Sequence, residues 1–436
     1  MNNALGMLRE QTPLLDQNEP VAFVRSFLNR AEDFMKTHAR YGSPLYIFEQ
    51  KVLLDRLEIF RAAFHEVLGE IHVYYAVKSN TYPDVAKNLL KAGCGLDVSS
   101  GKELSDALAY QCDDIIFSGP GKTDAELELA LKHADRVTIL VDSFAELDRL
   151  AQAAERQKVS ARAGVRLTTD ENGLWRKFGI PPSQLNAFID KAIHNGHIKL
   201  SGLQFHTSWN LNPNSQVAFI VRLEKYLKEL APNLRAGLDF LDIGGGYWPE
   251  RGEWLQWAAT PEGGLCQSAE PVSQQSLRHY KYSSVPIEMF AREIADALKI
   301  YVFPHLDCEI YTEPGRWICN DCMHILLRVI DKKVDDLVIT DGGTNIIGWE
   351  RFENDYCPVI NLSRPSTIER QCLIMGSLCT PHDVWGYGYF GEDIQPGDIL
   401  LIPSQGAYTY SLRQEFIKPH APVVPLISSQ ASKSRH

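Results

Sequence analysis

The chain has 436 residues, too many for one ordinary domain with a single core, so we expect two domains. Its composition, 44% hydrophobic and 23% charged, excludes bulk disorder, and its net charge of −11 argues against a general nucleic-acid-binding surface. Nine scattered cysteines fit reduced thiols, and neither a bilayer-spanning apolar run nor a signal peptide is recognisable. We therefore expect a cytoplasmic protein with no membrane or nucleic-acid partner. A single CxxC, Cys319–Cys322, has no second pair at zinc-site spacing, so we expect no metal site.

Residues 1–44 precede the first regular pattern, and we expect them to pack on the second domain. From Leu45 to about Phe303, short apolar strands alternate with amphipathic helical runs, which predicts βαβ units and a parallel sheet. The strand candidates are PLYIFE, IHVYYAVKSN, GLDVSS, DIIFSG, VTILVDS, ARAGVRL, LSGLQFHTS and LDFLDIGGGY. Eight strands are the number that a closed (β/α)8 barrel needs, so the fold class predicted for this part is an α/β TIM-like barrel.

Residues 248–286 interrupt the alternation with a segment rich in Trp, Pro, Gly and acidic residues, which we interpret as a functional or mobile insertion. After Glu309, strands such as EIYTEPGRWI and DILLIPSQGAYTY are joined by turns, with few long helical runs. We therefore assign residues 45–303 to the barrel, residues 304–425 to a mostly β, barrel-like domain, and residues 426–436 to a tail.

Functional residues of a parallel barrel gather where strands end and βα loops begin. The polar or glycine positions at predicted strand ends are Lys78, Asp97 with Glu103 just beyond it, Arg166, His206 and the triplet Gly244–Gly246. Each also has an ordinary reading: a surface lysine, a helix-capping aspartate, a solvated histidine or a plain turn. Three glycines after a strand also let backbone N–H groups approach a phosphate closely.

A second cluster is Glu313-Pro-Gly-Arg316, in which a carboxylate and a guanidinium flank a tight bend. Arginine grips phosphate in bidentate fashion, although a surface turn with a weak ion pair would look the same. A strand-end lysine, a glycine cradle, an arginine and a glutamate together suggest pyridoxal phosphate. The lysine amine would form a Schiff base with the aldehyde, and the glutamate would keep the pyridine nitrogen protonated so that the ring acts as an electron sink.

Taken in chain order, a set of short motifs resembles the fold-type III pyridoxal-phosphate decarboxylases, the group that contains ornithine/arginine and meso-diaminopimelate decarboxylases. The motifs are YYAVKSN, GCGLDVSSGKEL, GPGKTDAEL, RKFGI, FHTS, DIGGGY, EPGRW, GSLC with a later aspartate, and GAY, and they span residues from about 45 to 411. The resemblance implies pyridoxal 5′-phosphate as cofactor, a small amino-acid-type substrate, and a homodimer with shared active sites.

The resemblance also implies a role for each matching residue. Lys78 would be the Schiff-base lysine, His206 would stack on the pyridine ring, and Glu313 would pair with the ring nitrogen. Cys379 of the partner subunit would reprotonate the carbanionic carbon. The remaining cofactor-binding residues implied are Asp97, Glu103, Arg166, Ser208, Gly245, Gly246, Gly315, Arg316 and Tyr408, and the substrate-reading residues are Arg351 and Asp383.

Several positions depart from the family pattern. The family often has His-x-Gly-Ser where this chain has His206-Thr-Ser-Trp209, so Ser208 is our candidate for the shifted phosphate-binding serine. After Cys379 the family places an acid that contacts the distal amine of the substrate, and this chain has Thr380. With the Trp-rich insertion, this change leads us to expect a biosynthetic specialist that acts on a modified or conjugated amino acid.

Three alternatives remain open. The chain could be a diaminopimelate decarboxylase proper, an amino-acid racemase, or a catalytically inactive binding protein like the antizyme inhibitors. A carboxylate at Glu313 keeps the ring nitrogen charged and so favours decarboxylation over racemisation. An inactive homologue would be expected to lose cofactor residues, and this chain keeps the lysine, the histidine, the EPGR motif and the cysteine.

Overall fold

A computed structural model describes residues 12–264, 277–348 and 351–428. The chain divides into two compact units. The first, which we call the barrel unit, contains residues 54–250 and 284–318. The second, the β unit, contains the described parts of residues 1–53, 251–283 and 319–436. Within the described ranges, no helix combines the length and the apolar character needed to cross a membrane.

The barrel unit is a closed ring of eight parallel strands. In chain order the strands are His72–Ala76, Gly95–Val98, Ile115–Phe117, Val137–Val141, Ala161–Leu167, Ile198–Phe205, Phe240–Asp242 and Glu309–Thr312. The last strand pairs with both the first and the seventh and so closes the ring. The α-helices that lie between or beside them are Gln50–Leu68, Pro83–Lys91, Gly101–Ala109, Asp124–Leu131, Phe144–Gln157, Leu185–Ile193, Asn214–Glu229, Pro232–Arg235 and Ile287–Tyr301.

Side chains fill the barrel interior. The ring of Phe240 stacks on that of Tyr311 with centroids 4.5 Å apart, and both pack with Tyr74, Ile116 and Leu140. Gly202 makes room for this stack, since a Cβ there would lie 2.2 Å from the Phe240 ring. The centre of the barrel is therefore a packed core, and the side chains available to bind a ligand lie at its rim.

Serine or threonine caps the start of three helices in the barrel unit. Ser100, Thr123 and Ser143 each accept a hydrogen bond from the backbone N–H three residues later. Thr123 and Glu126 form a full capping box. Short, capped βα connections hold the strand-end residues in fixed positions.

The β unit is built on one eight-stranded sheet. Its strands, in sheet order, are Leu337–Thr340, Glu369–Met375, Val384–Phe390, Ile360–Asn361, Ile399–Ile402, Met323–Val334, Leu45–Phe48 and Val423–Pro425. Leu337–Thr340 also pairs with Met323–Val334, so six of these strands form a closed, barrel-like ring. The helices of this unit and at its border are Asn18–Leu28, Ala31–Tyr41, Arg316–Cys319 and Arg351–Asn354.

The N-terminal helices bury their apolar faces in the core of the β unit. Val24, Phe27 and Phe34 pack in one cluster with Leu326 and Leu401 of the sheet. The described part of the Trp-rich segment adds a two-stranded sheet, in which Glu253–Leu255 pairs with Tyr280–Tyr282, and Trp254 joins the same cluster. The described parts of residues 251–283 thus group with the β unit.

Two strands lie in the other unit from the one we predicted. Leu45–Phe48, which we counted in the barrel, pairs with Met323–Val334 in the β unit. Glu309–Thr312, which we assigned to the β domain, is the eighth barrel strand. Leu45–Phe48 is buried at all four positions, so its pattern looks the same in either sheet. No long helix follows Glu309–Thr312 to mark a βα unit. The predicted boundaries at residues 45 and 304 therefore differ from the observed division near residues 54 and 318.

Candidate active site

Lys78 stands at the carboxyl-terminal rim of the barrel. The strand before it ends at Ala76, and a single 3-10 turn, Val77–Ser79, turns its side chain out of the sheet. Its Nζ lies 2.8 Å from Oδ2 of Asp97, which is fully buried on the neighbouring strand. Oδ1 of Asp97 accepts a hydrogen bond of 2.6 Å from the Ser118 hydroxyl. The amine is thus held by one buried carboxylate while a third of its side chain remains exposed.

Glu313 follows the Glu309–Thr312 strand, which pairs directly with the strand that leads to Lys78. It is 2% exposed, and its Oε1 accepts a hydrogen bond of 3.2 Å from the Gln204 amide. Burial on its own would raise the pKa of Glu313, but the positive charge of Lys78 outweighs burial, and the pKa is lowered to about 2. Glu313 is therefore an ionised carboxylate across the ordinary pH range.

His206 lies between the glutamate and the glycine triplet. Its Nδ1 is 3.4 Å from Oε2 of Glu313 and accepts a 3.2 Å hydrogen bond from the Gly245 N–H. A backbone N–H can only donate, so Nδ1 carries no proton. Burial lowers the pKa of His206, so the ring is neutral near pH 7. The hydrogen bond from the Gly245 N–H orients the ring.

The glycine triplet is a tight loop that only glycine can form. Gly244 and Gly246 have φ of +66° and +85°, and a Cβ on Gly245 would lie 2.1 Å from the carbonyl oxygen of Glu313. The EPGR turn is equally close to the lysine turn, since a Cβ on Gly315 would lie 1.9 Å from Oγ of Ser79. Arg316 extends beside this loop with its guanidinium 4.3 Å from the Trp248 ring centre.

These residues fit pyridoxal phosphate. The rim offers a primary amine for the aldehyde, a carboxylate with a depressed pKa for the ring nitrogen, and an arginine beside a bare glycine backbone for the phosphate. They follow three different strands, and parallel strands bring these ends to one edge.

Three other predicted residues of the barrel unit make contacts of their own. Oε2 of Glu103 accepts the Ser99 N–H at 2.7 Å and so braces the start of its helix. Arg166 lies 3.9 Å from Oδ1 of Asp142 and over the Phe178 ring at 4.5 Å. Ser208 is half-buried and lines a cavity of about 450 Å3 together with residues that include Thr169, Trp175 and Arg222.

In the β unit, Cys379 is exposed on the loop 376–383. We expected Asp383 of this loop to read the substrate, but it is fully buried and both its oxygens accept backbone N–H groups, from Thr344 at 2.7 Å and Leu378 at 2.6 Å. A carboxylate engaged in this way shapes the loop and presents no oxygen to a ligand. The backbone bond from Gly376 N–H to the Asp383 carbonyl, 2.7 Å, closes the loop.

Arg351 contacts the residue that precedes Tyr408. Arg351 pairs with Asp355 at 3.0 Å and donates to the carbonyl of Ala407 at 3.2 Å, so it braces the GAY segment. Tyr408 itself is half-buried with φ of +55°, a conformation that non-glycine residues adopt at a cost. Trp349 and Glu350, part of the predicted substrate-reading stretch Gly348–Arg351, lie outside the described residues.

The sequence analysis did not single out three residues that the structure adds to these sites. Gln204 and Asp242 both lie at the barrel rim beside Glu313. His382 pairs with Glu353 at 3.0 Å near the Cys379 loop. Asp242 carried a usable signal, since it ends a strand directly before the glycine triplet, whereas the pairing of His382 depends on a contact that sequence spacing does not show.

The chain is similar to known pyridoxal-dependent decarboxylases. The family described as pyridoxal-dependent decarboxylase, pyridoxal binding domain, matches residues 54–258. The chain is 25% identical to a diaminopimelate decarboxylase of Aquifex aeolicus, over 95% of this chain and 93% of the relative. It is 24% identical, over 90% of each chain, to the L-glutamyl-BtrI-acyl-carrier-protein decarboxylase of Niallia circulans.

Solved structures share the fold. A lysine/ornithine decarboxylase of Vibrio vulnificus complexed with putrescine has a TM-score of 0.71 at 22% identity, covering 91% of this chain and 98% of that one. A diaminopimelate decarboxylase of Helicobacter pylori complexed with L-lysine has a TM-score of 0.71 at 22% identity, covering 90% and 94%. The predicted fold class, a TIM-like barrel with a β-rich barrel-like domain, is confirmed.

Proposed function

Because the chain belongs to the fold-type III pyridoxal-phosphate-dependent decarboxylases, we propose that it removes the α-carboxylate of a modified or conjugated amino acid, with Lys78 holding the cofactor and Cys379 returning a proton to Cα. The protein is thus a pyridoxal-phosphate-dependent carboxy-lyase that acts on an amino acid. The substrate, the residue roles and the dimer are the parts that we propose.

The observation that carries the proposal is the placement of Lys78 and Glu313 at one rim, joined electrostatically. When bound, pyridoxal phosphate supplies a conjugated ring whose protonated nitrogen accepts the electron pair that loss of CO2 leaves at Cα. Glu313, whose pKa of about 2 leaves it charged, would hold the ring nitrogen in its protonated form. A neutral or cationic partner at this position would weaken the electron sink, so the glutamate favours decarboxylation.

Other rim residues orient and bind. Asp97 holds Lys78 Nζ at the rim, where the amine would be available to the cofactor aldehyde. His206, neutral and held by the Gly245 N–H, offers a flat ring to the face of the pyridine. Gly245, Gly246 and Arg316 supply the donors for the phosphate, and a short loop of this kind excludes water from it.

Cys379 is the proposed acid at Cα. It is exposed on a loop that Asp383 and backbone hydrogen bonds keep in one shape. We assign it to a homodimer in which Cys379 of the partner subunit completes each active site. A thiol is a suitable donor to a carbanionic carbon because its proton is lost more readily than that of a hydroxyl.

The substrate assignment depends on the residues that follow Cys379. Thr380 has no charge with which to bind a distal ammonium group, and its hydroxyl accepts the His382 N–H at 3.4 Å. The relatives include a decarboxylase named for a glutamyl group carried on a protein, as well as diaminopimelate decarboxylases. We therefore propose a substrate whose distal end is masked by conjugation, in which case no acid at position 380 is needed.

Two experiments test the proposal. Purified protein is incubated with pyridoxal phosphate and its visible absorbance recorded before and after borohydride, for the wild type, Lys78→Ala and the control Lys199→Ala, whose lysine is exposed at the opposite end of its strand. We expect a visible band that borohydride bleaches in the wild type and the control, and none in Lys78→Ala. A Lys78→Ala protein with the same band would contradict the assignment.

The second experiment measures CO2 release from matched pairs of free and conjugated substrates. The free set contains diaminopimelate, ornithine, lysine and glutamate, and the conjugated set contains the corresponding peptidyl, citryl and carrier-protein derivatives. We expect the conjugated member of one pair to be turned over much faster than its free form. Rapid turnover of free diaminopimelate or ornithine would refute the substrate assignment and leave the decarboxylase activity intact.

A further inference from the structure

Three buried carboxyl groups act on one another electrostatically at the barrel rim. Asp97 and Asp242 are fully buried and Glu313 is 2% exposed. Lys78 lies 2.8 Å from Asp97, while His206 is neutral. Three negative charges beside the Lys78 charge in a dry site repel one another strongly, so one of the three carboxyl groups holds a proton.

The hydrogen bonds indicate which carboxyl group holds the proton. Asp97 receives donors from Lys78 and Ser118, and Glu313 receives one from Gln204. Asp242 accepts the Gly244 N–H at 2.8 Å on Oδ1. Its Oδ2 is buried, and within the described residues no donor reaches it.

Asp242 and Glu313 are also neighbours across the sheet. Asp242 pairs in register with Tyr311, two residues before Glu313 on the adjacent strand, and the two carboxyl groups are within hydrogen-bonding reach. Two carboxylates repel, but a carboxylic acid and a carboxylate form a strong, short hydrogen bond. A proton on Oδ2 of Asp242 therefore gives this buried oxygen a hydrogen bond to Glu313 and removes the repulsion between the two groups.

We propose that Asp242 is a neutral carboxylic acid whose Oδ2–H donates to Glu313, and that this bond positions Glu313 and keeps its charge available to the cofactor ring nitrogen. The effect on the cofactor ring nitrogen rests on the proposed function, whereas the protonation of Asp242 does not. The direction of the two pKa values agrees: burial and the negative charge of Glu313 raise the pKa of Asp242 well above its ordinary value, whereas that of Glu313 is lowered. The groups that face Asp242 are Glu313, Asp97 and the Gly244 N–H.

Substitutions of Asp242 distinguish a neutral carboxylic acid from an anion. Asparagine reproduces a protonated aspartate, since its carbonyl oxygen can accept the Gly244 N–H and its amide can donate to Glu313. Asp242→Asn should therefore behave like the wild type, whereas Asp242→Ala leaves Glu313 without that donor. If Asp242 were an anion instead, asparagine would remove a charge and should disturb the site as much as alanine does.

The test uses two readouts on wild type, Asp242→Asn, Asp242→Ala and the exposed control Asp148→Asn, with folding checked by circular dichroism. First, infrared spectra of cofactor-free protein at pH 7 should contain a carboxylic-acid C=O band that Asp242→Asn lacks and Asp148→Asn keeps. Second, the dissociation constant and visible spectrum of bound pyridoxal phosphate should stay within about threefold of wild type in Asp242→Asn, and the affinity should fall roughly tenfold to a hundredfold in Asp242→Ala.

Two outcomes would overturn the proposal: a carboxylic-acid band that persists in Asp242→Asn, or an Asp242→Asn protein whose cofactor affinity falls as far as that of Asp242→Ala. If Asp242→Ala does not fold, the comparison of Asp242→Asn with wild type still decides. The infrared band needs no cofactor. Wild-type protein that shows the band but binds no pyridoxal phosphate would therefore refute the proposed function and leave the neutral Asp242 standing.

Discussion

The substitution Gly245→Ala tests whether the glycine triplet holds the cofactor phosphate. Gly245 does not have a positive φ, so alanine adds no backbone strain, and the whole effect is steric. The new Cβ would lie 2.1 Å from the Glu313 carbonyl oxygen, whereas ordinary contact begins at 3.4 Å. Since the contact is backbone on backbone, the triplet must move away from the EPGR turn by about 1.3 Å, the difference between those two distances.

A shift of this size is enough to break a hydrogen bond to the phosphate, because a bond near 2.9 Å would lengthen past the useful limit of about 3.5 Å. A hydrogen bond to a charged group contributes about 1.5–3 kcal/mol, so the dissociation constant of pyridoxal phosphate should rise roughly 10- to 150-fold. The assay is a titration of cofactor-free protein followed by visible absorbance. Gly121→Ala is the matched control, since it lies in another rim loop and its Cβ would meet nothing within 4 Å. Equal affinity for the cofactor in Gly245→Ala and Gly121→Ala would refute the assigned role of the triplet.

Three further predictions concern the β unit. Cys379→Ala should slow product formation or misdirect protonation, seen as lost stereospecificity of deuterium incorporation from D2O, with cofactor absorbance unchanged; a large loss of bound cofactor would remove the thiol from its role as acid. Asp383→Ala should lower the free energy of unfolding by about 3 kcal/mol because two buried backbone N–H groups lose their acceptor; a loss below about 0.5 kcal/mol in urea denaturation would contradict its structural role. Burial raises the pKa of Glu49, but hydrogen bonds to His324 and Arg30 outweigh burial and lower it from 4.5 to about 2. Since its pKa is lower in the folded state, the stability it contributes is present above pH 4.5 and is lost as the pH falls toward 2, and Glu49→Gln should flatten this part of a stability-against-pH curve.

The rim of the barrel could be predicted from the sequence because parallel strands place their ends together. Lys78, Asp97, His206 and Glu313 lie far apart in the chain, yet each ends or follows an apolar run, and the structure brings them to one edge. The pairing register of the strands adds a contact that the hydrophobic pattern of the sequence does not predict. Only the pairing of the Phe240–Asp242 strand with Glu309–Thr312 puts a second carboxyl group against Glu313.

Other features could not be predicted for equally physical reasons. Leu45–Phe48 is buried on all four positions, so its pattern carries no information about which sheet it joins. Asp383 looked like a ligand-facing acid because its motif position was known and its burial was not. A sequence gives the type of a polar group, but whether that group faces a cavity or a backbone N–H depends on packing between elements distant in the chain.

The loop that carries Cys379 shows how substrate choice can change while the loop keeps its shape. Asp383 binds the loop from inside, and the Gly376–Asp383 backbone bond closes it. Neither contact involves the side chain at position 380, where the Thr380 hydroxyl accepts a weak hydrogen bond, 3.4 Å long, from the His382 N–H. The position that family members use for an acid is therefore one that the loop does not need for its own stability. In the function that we propose, a change from an acid to threonine at this position alters recognition of the distal end of the substrate and leaves the loop contacts of Asp383 in place.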